Sequence, residues 1–231
     1  MVVLRLAGRL RTVVGATLVV LAVVMGLLVR LRVIVHGDSR VLAEFLENRR
    51  PGFTQLMRAV TWLFNPMSAT VLAAVVTLVV WWATRAWRSA LLVVAAVGLS
   101  GLLTHVLKLS FERARPPLLT RLTTELNFSF PSGHATAVAA LGCSIGLVVE
   151  AVTCSRRVVV ATWCAMAVLV AAVASSRLYL GVHWFTDVLA GCFVGAGVTL
   201  VLSAALQGDR SAPAPGQSQP SSVRRSSSIP K

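Results

Sequence analysis

His183 and Asp187, four residues apart in the stretch SRLYLGVHWFTD, form a pair that can do chemistry. Residues at i and i+4 share one face of a helix, so the carboxylate can hold one imidazole N–H and leave the other ring nitrogen as a lone pair. That is how a histidine becomes a nucleophile. Ser176 and Arg177 open the same stretch. A second cluster, FPSGHATA, sets Ser132, Gly133 and His134 at the mouth of an apolar run that reaches Val152. A third, KLSFERARPP, carries Lys108 and Arg115, and Pro116-Pro117 end any helix there.

Ionisable groups beside membrane-length apolar runs are expensive and mark functional sites. Three cations and two imidazoles around one carboxylate make an anion site. Lys108, Arg115 and Arg177 can give charge-assisted hydrogen bonds to phosphate oxygens. Free backbone N–H groups at Ser132 and Gly133 add the positive end of a helix, and Gly133 lets an oxygen approach the main chain closely. The chemistry that fits is in-line phosphoryl transfer to His183, oriented by Asp187. His134 then protonates the departing oxygen and deprotonates the water that cleaves the phosphohistidine. The cations neutralise the equatorial oxygens, so no metal or other cofactor is required.

The elements that must position these residues are membrane helices. The 231-residue chain is 56% hydrophobic with a mean hydropathy of +0.79, too apolar for a soluble globule. Apolar runs fall near 12–30, 66–83, 89–109, 133–152, 157–176 and 185–206, each close to the ~20 residues that cross a bilayer. The expected fold is an all-α, six-span transmembrane bundle. Its third span ends, its fourth begins and its fifth-to-sixth link lies on one membrane face, where the three clusters meet. The first run exceeds a signal-peptide core and has no small-residue cleavage site, so it reads as a retained span.

Residues 36–65 mix charges with apolar positions at helical spacing and read as an interfacial helix and loop ending at Asn65-Pro66. His36, Asp38, Glu112 and Glu150 read as solvated or interfacial, and His105 as packing or support for Lys108. Six tryptophans near span ends read as headgroup-depth anchors. Gly191 with Gly195, and Gly142 with Gly146, form GxxxG patterns suited to close helix packing. Residues 207–231 are rich in Pro and Ser with three arginines and read as a disordered basic tail, leaving 1–206 as one membrane domain.

The net charge is +14, and all but Lys108 and Lys231 of the 22 basic residues are Arg. They scatter over short loops, which suits anionic lipid headgroups and excludes a nucleic-acid interface. The Arg, Ala, Val and Gly bias fits a GC-rich bacterial genome. Four cysteines without a CxxC or a nearby His support neither zinc nor a disulfide framework and read as buried thiols.

KxxxxxxRP from Lys108 to Pro116, PSGH from Pro131 to His134, and SRxxxxxHxxxD from Ser176 to Asp187 occur in that order. They resemble the three-part signature of the type-2 phosphatidic acid phosphatase superfamily, without a departure. The resemblance implies that Lys108, Arg115, Ser132, Gly133 and Arg177 bind phosphate, that His183 is the nucleophile oriented by Asp187, and that His134 is the acid. It implies a lipid phosphate or diphosphate as substrate. A bacterial polyprenyl (undecaprenyl or decaprenyl) diphosphate comes first, with phosphatidylglycerophosphate or phosphatidate as the alternative, since the motifs contact only the phosphate. Arg113 and Arg121 read as spare cations for the second phosphate of a diphosphate. A reading of another class, a non-catalytic anion-binding protein or a transporter, predicts broken midplane helices and internal repeats, and it leaves a His–Asp pair without a purpose. The site is expected on the non-cytoplasmic side of a bacterial inner membrane. The short turns carrying Arg85 with Arg88 and Arg156 with Arg157 lie on the face opposite the site, together with Arg5, Arg9 and Arg11.

Overall fold

The computed structural model describes residues 2–208. They form eight α-helices and one short 3-10 turn: α1 (Val2–Arg30), α2 (Val35–Glu47), α3 (Pro51–Leu63), α4 (Pro66–Thr84), α5 (Trp87–Phe111), α6 (Gly133–Val152), α7 (Arg156–Tyr179) and α8 (Phe185–Gly208), with the turn at Leu118–Thr120. Six of these, α1 from Leu6, α4, α5, α6, α7 and α8 to Leu206, are long and apolar enough to cross a membrane. The six expected spans are all present. The tail expected from 207 lies outside the described residues beyond Gly208, where α8 ends.

Local chemistry sets the helix boundaries. Asn65 Oδ1 accepts from the Ser68 amide at 2.9 Å and Pro66 occupies the first turn of α4, a cap and a preset φ that together start a helix. The expected single interfacial helix is two. Pro51 disfavours helical geometry at the preceding residue, and Arg50 is accordingly extended at φ −134°, ψ 137°. At that break Arg49 donates to the Tyr179 carbonyl at 2.9 Å and the Thr120 carbonyl at 2.8 Å, fastening α2 and α3 to the end of α7. The Thr54 and Tyr179 hydroxyls, 2.9 Å apart, add a second tie.

α6 is the centre of the bundle: 72% of its apolar window is buried, against 6% for α7 and 11% for α4. Lipid tails are as apolar as leucine, so close packing and not hydrophobic exclusion holds such helices together. α8 lies against α6 through Gly191 and Gly195, where a methyl group would stand 2.6 Å from the Ser132 carbonyl oxygen and 2.4 Å from that of Thr136. On the other side of α6, Val93 and Val97 of α5 pack with Ala140, Leu141 and Val148.

The outward-facing surface overturns several expectations. Cys154, in the α6–α7 turn, and Cys164, on the outward face of α7, are exposed, and only Cys143 is fully buried. Trp163 packs over Gly146 inside α7 instead of lying at a span end. His105 is exposed on α5, although Lys108 three residues on is buried.

Candidate active site

The three clusters meet where α5 ends, α6 begins and α7 passes into α8. His183 lies in the link between α7 and α8 and is buried. Its Nδ1 is 3.4 Å from Asp187 Oδ2, and its Nε2 is 3.1 Å from Arg115 Nη1. A guanidinium only donates, so Nε2 accepts and the ring proton sits on Nδ1, towards the carboxylate. The lone pair thus faces the cations. Burial, reinforced by Arg115, Arg177 and Lys108, holds the imidazolium form of His183 well below its ordinary range, against a smaller opposing contribution from Ser129.

Asp187, in the first turn of α8, is fully buried with both oxygens occupied. Oδ2 accepts from the Ser129 hydroxyl and from the Trp184 amide at 2.9 Å, and Oδ1 accepts from Arg113. Its own carbonyl accepts from the Ser132 amide at 2.9 Å, which joins the start of α6 to the start of α8.

The cations converge from three elements. Lys108 Nζ, at the end of α5, donates to the Phe128 carbonyl. Arg115 is fixed by the Asn127 carbonyl at 2.7 Å, the Asn127 Oδ1 at 2.5 Å and the Val182 carbonyl at 2.7 Å. Burial pushes its ionisation down to about 10, with Glu125 opposing, so it remains a cation at neutral pH. Arg177, in the last turn of α7 and wholly buried, donates to Thr61 Oγ1 at 2.9 Å and to Glu125. Glu125 also stands 3.7 Å from Arg115. A carboxylate therefore already bridges two of the three cations.

Ser132 is the N-cap of α6, yet its side chain makes no capping bond. Its Oγ and Arg177 Nε are buried without a partner among the described residues, a costly state for polar groups unless a ligand satisfies them. Gly133 meets only Pro66, at an ordinary 3.7 Å, so packing alone does not demand a glycine there. His134 is 8% exposed and its ring forms no hydrogen bond among the described residues, within electrostatic reach of Arg177, His183, Arg115 and Lys108. All eight expected site residues thus lie in one neighbourhood.

Two expectations fail here. Asp38 is not solvated: it is 1% exposed, and its oxygens accept from the Thr186 amide at 2.9 Å, the Thr186 hydroxyl at 2.7 Å and Arg113. Arg113 is not a spare cation, because its guanidinium lies between Asp38 and Asp187. Sequence reasoning also missed Ser129, Thr61 and Glu125. Ser129 immediately precedes Phe130-Pro131 and could have been flagged by adjacency, whereas Thr61 and Glu125 carry no local signal.

The PAP2 superfamily model matches residues 89–210. Phosphatidylglycerophosphatase B of Bacillus subtilis is 29% identical over 160 residues, covering 69% of this chain and 78% of that protein. Undecaprenyl-diphosphatase of Sulfolobus acidocaldarius is 33% identical over 75 residues, 32% of each chain. Among solved structures, the transmembrane PAP2-type phosphatidylglycerolphosphate phosphatase from Bacillus subtilis matches with a TM-score of 0.74 at 24% identity, covering 86% of this chain and 97% of that one. LpxE from Aquifex aeolicus matches at 0.54 and 18% identity, covering 72% and 94%.

Proposed function

The chain belongs to the PAP2 superfamily and is a multi-span membrane phosphatase, and from that premise we propose that it removes phosphate from a membrane lipid through a phosphohistidine at His183. The observation that carries this reading is the pair of buried, unpartnered polar atoms, Ser132 Oγ and Arg177 Nε. A phosphate oxygen supplies what both lack. In the proposed reaction the phosphate displaces the Glu125 carboxylate and is held by Lys108, Arg115, Arg177, Ser132 and the Gly133 amide. His183 Nε2 attacks phosphorus in line while Asp187 retains the Nδ1 proton. His134, whose ring makes no hydrogen bond among the described residues, protonates the lipid oxygen as it leaves and then takes a proton from the water that frees inorganic phosphate. Three side-chain cations meet the charge that develops on the equatorial oxygens, which supports turnover without a metal.

Two observations bear on the lipid. The relative named phosphatidylglycerophosphatase B aligns with most of this chain, and Arg113 is committed elsewhere, which removes one support for a diphosphate. Phosphatidylglycerophosphate is therefore the first substrate we propose. Polyprenyl diphosphate is the second reading, favoured by Arg121, which lines a cavity of about 420 Å³ together with Leu122, Thr123 and Glu125.

We place the site on the non-cytoplasmic face of a bacterial inner membrane. Many arginines share the site's face, but Arg49, Arg113, Arg115 and Arg177 are engaged in internal bonds. They count less as loop charge than the turn arginines Arg156 and Arg157 opposite.

The test is phosphate release by detergent-purified protein from phosphatidylglycerophosphate, phosphatidate, prenyl diphosphate and soluble aryl phosphate, with and without EDTA. Lipids should be preferred and EDTA should not stop the reaction. No release from any lipid, or strict dependence on an added divalent ion, overturns the proposal.

A further inference from the structure

Arg113 fills a variable position inside the KxxxxxxRP motif, yet its side chain is among the most heavily bonded of the described residues. Its Nη1 donates to Asp187 Oδ1 and to Thr186 Oγ1 at 2.7 Å, and its Nη2 donates to Asp38 Oδ2. Its carbonyl accepts from the Ser129 amide at 2.9 Å, and the Ser129 hydroxyl in turn donates to Asp187. Its guanidinium lies 5.4 Å from the centre of the Trp184 ring. One residue thus fixes both oxygens of Asp187, one directly and one through Ser129.

Asp38 completes the chain from the far side. It sits on α2, 75 residues away from Arg113 in sequence. Its Oδ1 accepts from the Thr186 amide in the first turn of α8, where a free N–H and the positive end of the helix favour an anion. The side chains of Arg113, Asp38 and Asp187 are 8%, 0% and 0% exposed, so water screens these charges little.

We propose that Arg113 and Asp38 are positioning residues that set the charge and orientation of the His183–Asp187 pair. The physical reason is one of balance. A fully buried carboxylate needs a cation to stay ionised, and Arg113 supplies it. A fourth unopposed cation would add to Lys108, Arg115 and Arg177 and make His183 a poorer nucleophile. Asp38 cancels that excess and holds the fork in place. The chain His183, Asp187, Arg113, Asp38 therefore runs from the reacting ring to the interfacial helix α2, with alternating charge after the ring. This rests on the assignment of His183 as nucleophile.

Opposite signs make the inference testable. The groups that face the pair are Lys108 of α5, Arg113, Arg115 and Glu125 of the following loop, His134 of α6, Arg177 of α7 and Asp38 of α2. Taking a positive charge from this set raises the proton affinity of both His183 and Asp187, and taking a negative charge lowers it. In the purified full chain, Arg113→Gln should move the acidic limb of the kcat profile to higher pH. Asp38→Asn should move it to lower pH. Arg113→Gln should lower kcat about 100-fold, short of the ~10⁴ lost when a triad carboxylate is neutralised, with inhibition by inorganic phosphate little changed. Asp38→Glu should recover activity lost in Asp38→Asn. Shifts of the same sign in both variants, or unchanged profiles with activity lost in proportion to folded protein, overturn the inference. If Arg113→Gln cannot be recovered folded, Asp38→Asn decides alone, and a limb that stays or rises refutes the proposal. His183→Ala is measured in parallel: parent-like turnover there removes the nucleophile assignment itself, whichever way the limbs move.

Discussion

The Ser132 amide donates to the Asp187 carbonyl at 2.9 Å, so the residue that opens α6 and the one that holds His183 are bonded across two helices. Gly191 stands next to this bond, and a methyl group there would meet the Ser132 carbonyl oxygen at 2.6 Å. Gly191→Ala should therefore push α6 off α8, at a cost of about 1–3 kcal/mol for an overpacked contact. It should weaken phosphate inhibition and kcat together. Gly98→Ala, where nothing lies within 4 Å, is the control and should leave thermal stability and turnover at the parent level. Equal behaviour of the two variants would show that the seam does not position the site.

Turnover should separate the two histidines. His183→Ala should abolish phosphate release while vanadate binding persists, because Lys108, Arg115 and Arg177 remain. His134→Ala should be slow on lipid substrates and partly rescued by an aryl phosphate whose leaving group needs no proton. Parent-like release from the first variant, or no rescue of the second, contradicts the respective role.

Glu125→Gln should tighten inhibition by inorganic phosphate. The carboxylate that bridges Arg177 and Arg115 competes with the ligand for the same donors, and its side chain is 23% exposed. A half-screened ion pair contributes up to ~1 kcal/mol, so the inhibition constant should fall about fivefold. A constant that rises would mean that Glu125 supports ligand binding.

The acidic limb of the pH profile follows from His183. Its protonation is depressed below the ordinary value of 6.5 by burial and then by Arg115, Arg177 and Lys108. A depressed imidazole stays neutral, and so nucleophilic, as the pH falls through 6.5. The kcat/KM profile measured with lipid in mixed micelles should keep its plateau below that pH. A limb at or above 6.5 would place the free-enzyme nucleophile elsewhere.

Orientation can be read with thiols. Thr124 is exposed beside Glu125 on the site's face, and the native Cys154 is exposed in the α6–α7 turn on the opposite face. In intact cells an impermeant maleimide should label Thr124→Cys and spare Cys154, which should react only after lysis. The reverse pattern inverts the topology proposed above.

The spans and the eight motif residues were legible because each signal is local: apolar run length, Asn65-Pro66 at a helix start, and cations at fixed spacing from a His. What was not legible depends on partners far apart in the chain. Asp38 looks like any solvated carboxylate on an amphipathic helix until Arg113 and Thr186 arrive from the α5–α6 loop and α8. Arg113 itself is two residues from Arg115, and nothing in RAR tells which guanidinium turns to the phosphate and which to the carboxylates. Cys164 could not be placed because an all-apolar helix has no face that the sequence marks as inward.

The unequal burial of the spans divides the chain by selective constraint. Along α6 nearly every side chain is enclosed, and on α8 a single added carbon at 191 or 195 collides with backbone. Neutral drift has little room there. α4 and α7 present most of their apolar windows outward, where valine, leucine and isoleucine are interchangeable, and the buried residues of α7 gather at its C-terminal end, at Val173 and from Ser176 to Tyr179. Lineages diverging from a common ancestor would then accumulate differences in α4 and the body of α7 while inheriting the α6–α8 seam almost intact.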